Sequence, residues 1–187
     1  RLLKARGALG GLVFVLAGDP QGRSSHVASL RRAIAGAGLD DAVRLVGHCD
    51  DMPAAFLTAT ATIVASSEPE AFGRAVTEAS AMGSPVIATA HGAPAETVIT
   101  EGAGRTGWLV PPANAEALAR AIETAMSLGS DERATLAVAA RRHVAVNYSK
   151  PTLQRQTLAV YDELLGTTLA AEFEGTTSMP RLRQGGR

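Results

Sequence analysis

Glu70 and Glu78 stand eight positions apart in the run Glu70-Ala71-Phe72-Gly73-Arg74-Ala75-Val76-Thr77-Glu78, with Ser66-Ser67 before it and an apolar helical pattern continuing to Gly83. A helix that starts near Gly73 points its unpaired backbone N–H groups and positive dipole end at whatever lies beyond, which suits a phosphate. If the whole run were helical, the carboxylates would be roughly 12 Å apart along the axis. Each is an acceptor-only group. Together they could hold hydroxyl groups on either side of a diphosphate.

Other chemistries fit these residues less well. A glycosidase places its two carboxylates about 5 to 9.5 Å apart across one bond, closer than the helical spacing. Gly102-Ala103-Gly104-Arg105-Thr106-Gly107 matches the dinucleotide fingerprint literally. It follows a helical pattern and precedes a strand, the reverse of what that mechanism needs, so it reads as a turn and a dehydrogenase is not indicated. There is no phosphate-binding Gly-x4-Gly-Lys-Ser/Thr loop, no Cys/His metal spacing and no Asp-x-Asp pair. Metal dependence is therefore not expected. Plainer roles stand beside the functional ones. Glu78 follows Arg74 by four residues and could be half of an exposed ion pair, in the weaker order for a helix. Phe72 could be a core anchor and Glu68 a surface charge. His26 and His143 lack ligand-type neighbours.

These residues need a scaffold, and short apolar runs alternating with helical patterns predict one: a doubly wound parallel sheet with helices on both faces. Strands are expected at Leu12 to Ala17 (a continuous buried run), Val43 to Val46, Ile63 to Ala65, Val86 to Thr89 and Trp108 to Val110. Between them fall a helix carrying Val27, Leu30 and Ile34, one opened by Asp51 and Pro53, the Gly73 to Met82 helix, and a short one over Ala95 to Thr100. Asn114 caps a helix with Leu118, Ile122, Ala125 and Met126 on one stripe. Two more helices, about Asp131 to Val146 and Pro151 to Leu165, end a domain spanning residues 1–165. From Gly166 no apolar period is visible, and 166–187 reads as a disordered tail.

The bulk numbers narrow the class. The 187 residues are one domain's worth and can bury a core without staples. Basic and acidic residues balance at 18 each, so no nucleic-acid footprint is indicated. The single cysteine, Cys49, cannot close an intrachain disulfide and fits a reducing compartment. No stretch of about eighteen apolar residues could span a bilayer. The first residues lack an initiator methionine and a signal-peptide core, and read as the start of a piece of something larger.

The Glu70 to Glu78 segment resembles the Glu-x7-Glu motif of retaining glycosyltransferases of the two-domain GT-B class, family 4 (group 1). The likeness continues through Pro85-Val86-Ile87-Ala88-Thr89, His91 to Val98 and Gly107-Trp108-Leu109-Val110-Pro111-Pro112. It implies the Rossmann-like C-terminal half of a GT-B fold: a cytoplasmic donor-binding domain, at most peripheral to the inner membrane face. Its donor would be a UDP-, GDP- or ADP-linked sugar, bound as substrate with no cofactor and no metal. The acceptor would be a saccharide, a lipid or a small molecule. By resemblance Glu70 is the catalytic candidate, holding hydroxyls of the transferred sugar, and Glu78 accepts from the ribose. Backbone N–H groups of Phe72, Gly73 and Arg74 face the sugar and phosphates. Gly47, His48, Cys49 and Asp51 fall in the loop that meets the base in relatives, with no evident code for which base. For His48 the alternative is a solvated loop residue, and for Asp51 a helix cap. Glu96 matches a glutamate of a Gly-Gly-x-x-Glu turn, but His91 replaces the first glycine, which puts close backbone approach there in doubt.

The resemblance also defines what is not matched. Relatives open this domain with a central strand and then Gly-Arg and Lys-Gly cations for the diphosphate. This chain starts within the helix after that strand, and the N-terminal acceptor domain has no counterpart. Isolated, the chain is expected to bind sugar nucleotides weakly and to lack turnover. A gap or bare strand edge is expected between the Leu12 and Ile63 strands. The reading from a different class is a non-catalytic nucleotide-sugar binding or interaction fragment.

Overall fold

The computed structural model describes residues 1–177, which fall in two compact units, Arg1–Arg141 and a second that begins at Arg142. In the first, strands β1 (Phe14–Ala17), β2 (Val43–Gly47), β3 (Thr62–Val64), β4 (Val86–Thr89) and β5 (Gly107–Val110) alternate with helices. These are α1 (Leu2–Ala5), α2 (Ser24–Ala35), α3 (Met52–Thr58), α4 (Arg74–Met82), α5 (Pro94–Thr97) and α6 (Ala115–Met126), followed by α7 (Ser130–Asn147). Every strand pair is parallel, as the alternation of short apolar runs and helices requires.

The strands do not form one continuous sheet. β1 pairs with β2, while β3, β4 and β5 form a separate sheet in that order. The outer edges of β1 and β3 therefore lack ladder partners, which is the expected break between those strands. The expectation that the first strand is buried throughout is corrected here: Phe14 is half-buried, but Val15, Leu16 and Ala17 are exposed. A strand with one neighbour and no helix packed closely over it has nothing to exclude water from both faces.

The three-stranded sheet is the organising core. Side chains of successive strand residues point to opposite faces, and the packing follows that period. Val86 and Ala88 pack with Phe56 of α3, Val76 and Ala79 of α4, and Val98. Ile87 and Val110 pack on the other side with Ala119, Ile122 and Ala125 of α6 and with Leu3 of α1. Three helix starts carry the expected signals. Asp51 Oδ1 accepts from Ala54 N at 2.9 Å to cap α3, Asn114 Oδ1 accepts from Ala117 N at 2.8 Å to cap α6, and Gly73 precedes α4. α5 ends at Thr97, earlier than expected, because Val98 turns extended and the next carbonyl, Ile99 O, accepts from the amides of Thr106 and Gly107 at the entry to β5.

The second unit contains α8 (Lys150–Leu165), whose N-cap Ser149 accepts from Thr152 N, and α9 (Leu169–Thr177). The expected tail from Gly166 is thus helical over 169–177, and the part of that expectation over 178–187 lies outside the described residues. Asp162 supplies the physical reason. Its carboxylate accepts from Thr167 Oγ1 at 2.6 Å, Leu169 N at 2.7 Å and Ala170 N at 2.9 Å, satisfying two first-turn amides that a short helix otherwise leaves bare.

Candidate functional site

The segment between β3 and β4 places the two glutamates. Gly73, the N-cap of α4, has φ 71° and ψ 49°, a left-handed conformation that glycine adopts without steric cost. A β carbon there would lie 3.3 Å from Pro94 Cγ. No side chain caps α4; Val76 N donates to Gly73 O at 2.9 Å, and the amides before it are those a helix start leaves without a partner inside the helix. Phe72, just before this turn, is 47 % exposed and is not a core anchor.

Glu70 is not helical. It forms an isolated parallel bridge with Gly92, in which Glu70 N donates to His91 O at 3.3 Å and Ala93 N donates to Glu70 O at 2.9 Å. The 12 Å axial estimate therefore does not apply, because only the stretch from Arg74 to Glu78 follows the helical rise. The Glu70 carboxylate accepts from Ser66 Oγ at 2.6 Å, and Ser66 O in turn accepts from Thr89 Oγ1 at 2.9 Å. The half-buried Glu70 is thus tied to the C-terminal ends of both β3 and β4. In parallel α/β sheets, ligands bind at that end.

Glu78 carries the ion pair considered for it: Arg74 Nε and Nη2 donate to Oε1 at 3.2 and 2.9 Å. Arg74 is 82 % exposed and Glu78 45 %. A pair this open contributes only a few tenths of a kcal/mol, on the order of 0.3.

The loop after β2 belongs to the other sheet. Gly47 has φ 74°, and its carbonyl accepts from Gly18 N at 2.7 Å, which ties the ends of β1 and β2 together. His48 Nε2 lies 3.0 Å from Asp50 Oδ1, with both side chains largely solvated. Cys49 is a half-buried free thiol, and Asp51 is engaged as the α3 cap.

The other residues singled out in the sequence lie outside this segment. Glu96 is exposed in the first turn of α5. The Gly102 to Gly107 run is a turn into β5, fastened by Thr106 Oγ1 accepting from Ile99 N at 3.0 Å, with Arg105 stacked over Trp108 at 5.1 Å. An apolar groove of about 360 Å³ beside α1, lined by Leu9, Phe14, Leu16, Val43, Leu118 and Ile122, holds none of the predicted site residues. Sequence reasoning missed Ser66, Thr89 and Gly92 as supports of Glu70. Ser66 offered a faint local signal, a hydroxyl four residues before the carboxylate. Gly92 and Thr89 offered none, since their partners lie about twenty residues away in sequence. The close approach left in doubt by His91 is made by Gly92.

Against known proteins, the family described as "Glycosyl transferases group 1" matches residues 1–143. A lipopolysaccharide core biosynthesis mannosyltransferase, LpcC of Rhizobium leguminosarum bv. viciae, is 33 % identical over 151 residues, covering 76 % of this chain and 40 % of its own length. A glycosyltransferase from Rickettsia africae ESF-5 superposes with a TM-score of 0.79 at 34 % identity, covering 89 % of this chain and 44 % of that one. Anabaena Alr3699/HepE in complex with UDP superposes with a TM-score of 0.76 at 27 % identity, covering 87 % and 44 %; it has also been solved with UDP-glucose. This chain therefore spans less than half the length of each of these relatives.

Proposed function

This chain belongs to the group 1 glycosyl transferases, enzymes with the GT-B fold, and from that premise we propose that it supplies the donor-binding half of a sugar transfer. The donor is a nucleoside-diphosphate sugar, and transfer to a saccharide, lipid or small-molecule acceptor retains the anomeric configuration. One observation carries the reading. Glu70, held at the C-terminal ends of β3 and β4, precedes the N-terminus of α4, and Glu78 lies just over one turn inside that helix.

The proposed division of labour follows from the chemistry of each group. Departure of the nucleoside diphosphate leaves an oxocarbenium-like sugar and builds charge on the leaving phosphate. The first amides of α4, with the positive end of the helix dipole, stabilise that charge more in the transition state than in the ground state. Gly73 permits the diphosphate to approach the backbone. Glu70 accepts from hydroxyls of the transferred sugar, and Glu78 from the ribose. The Gly47 to Asp51 loop is assigned the base. The acceptor attacks from the face the diphosphate leaves, and no side chain of this chain acts as a nucleophile.

Saturation-transfer NMR of the chain against UDP-glucose, GDP-mannose and ADP-glucose tests the reading. Signal from one donor above the others, competed by its free nucleoside diphosphate, is the expected result. Absence of transfer to all three at millimolar ligand would overturn it.

A further inference from the structure

Glu70 lies in a loop, yet its main chain and its carboxylate are both held, the first from the segment after β4 and the second from Ser66 of the same loop. Gly92 sits at the crossing with φ 76°. A β carbon on it would lie 2.8 Å from Glu70 N and 3.1 Å from the Glu70 carbonyl carbon, and closer still to the carbonyl oxygen. All of these are backbone atoms, so residue 70 itself would have to move. On the carboxylate side, Ser66 Oγ donates to Oε1 at 2.6 Å. Ser66 is in turn fixed by the buried Thr89 at the end of β4.

We propose that Ser66 and Gly92 are positioning residues for Glu70: Gly92 sets where its backbone lies, and Ser66 sets which way its carboxylate turns. A hydroxyl bound to Oε1 leaves Oε2 available to other donors. The role for Glu70 rests on the function proposed above, whereas the claim that these two residues place it does not. Ordinary loop scaffolding would make a different pattern. Loss of general fold support would weaken every ligand alike, but misplacement of Glu70 costs only the ligand that carries the transferred sugar.

The test uses the full chain with UDP and UDP-glucose as probes. Ser66→Ala is expected to weaken UDP-glucose about fivefold, the loss of part of one charge-assisted hydrogen bond, while UDP stays within about twofold. Ser66→Thr, which keeps the hydroxyl, restores the difference. Gly92→Ala and Gly92→Asn separate two causes. Asn tolerates positive φ but still carries a β carbon, so if the crossing with Glu70 is what matters, both variants lose UDP-glucose selectively. Equal losses of UDP and UDP-glucose, or a harmless Gly92→Asn, would overturn the proposal. If the wild-type chain binds neither probe, positioning is judged on the free protein. Amide exchange at Glu70 and Ala93 should then accelerate about tenfold in both Gly92 variants, with the β4–β5 amides unchanged. The Glu70 carboxyl carbon shift should also move in Ser66→Ala. Unchanged exchange and an unchanged shift would sink it.

Discussion

Arg74 closes on Glu78 with two nitrogens, Nε at 3.2 Å and Nη2 at 2.9 Å, and both reach the same oxygen, Oε1. The pair leaves the rest of the carboxylate for other donors, so the ion pair and a ribose contact are compatible. It also makes the two glutamates separable by experiment. Glu78→Gln should weaken UDP and UDP-glucose together, by about tenfold for a lost charge-assisted bond. Glu70→Gln should weaken UDP-glucose and spare UDP. Isothermal titration or ligand-observed NMR on both variants checks this, and equal loss of UDP affinity in the two would discard the division. Arg74→Ala, at an exposed pair, should shift unfolding stability by less than about 0.5 kcal/mol.

Thr106 is almost wholly buried, and its hydroxyl accepts the Ile99 amide at 3.0 Å. Thr106→Val keeps the shape and removes the acceptor. The stranded amide should cost about 1 to 3 kcal/mol, read as a lower urea midpoint with an unchanged slope. A midpoint within error of wild type would mean that water replaces the hydroxyl.

Asp162 has its pKa lowered from the ordinary aspartate value, first by the hydrogen bond from Thr167 and then by the Ala170 and Leu169 amides. A carboxylate depressed in the folded state contributes stability that is present above its unfolded pKa and lost as pH falls through the folded value. The start of α9 should therefore loosen only below about pH 4, the ordinary aspartate range. Amide resonances of Leu169 and Ala170 followed from pH 6 to 2 report it. Asp162→Asn should show the loosened state already at pH 6 and lose the acid transition.

Val15 stands 59 % exposed on β1, a strand with one free edge. Free edges template pairing with other chains, and an edge lysine suppresses this. Val15→Lys should lower concentration-dependent association in light scattering, while the parent chain associates more as concentration rises. Identical scattering in both would locate association elsewhere.

The legible parts of this protein were those whose causes lie close together in the chain. Asp51 and Asn114 announce their helices because a cap acts on amides three residues on. β4 was read to the residue because Val86 to Thr89 is buried on both faces. Glu70 and Glu78 were picked out by type and spacing, but the rise of a helix was extended to Glu70, which a bridge to Gly92 holds outside it. α9 was missed because Asp162, seven and eight residues away, satisfies its first amides. Ala170, Ala171 and Glu172, all good helix formers, were the signal available. Val15 is exposed on a strand that has one neighbour instead of two, which its own apolar character cannot report.

The break between the sheets also separates parts of the protein in time. β1 and β2 share no ladder bond with the other strands, and a two-stranded ribbon is marginal in water. Their amides should exchange as a low-energy cooperative unit, well before those of β4 and β5. His48 and Cys49 follow directly on β2, whereas Asp51 caps α3, which packs on the β4 core, and Glu70 is anchored to the ends of β3 and β4. A ligand spanning both would find one half of its site already assembled and would have to order the other, so part of its binding free energy would be spent quieting β1 and β2.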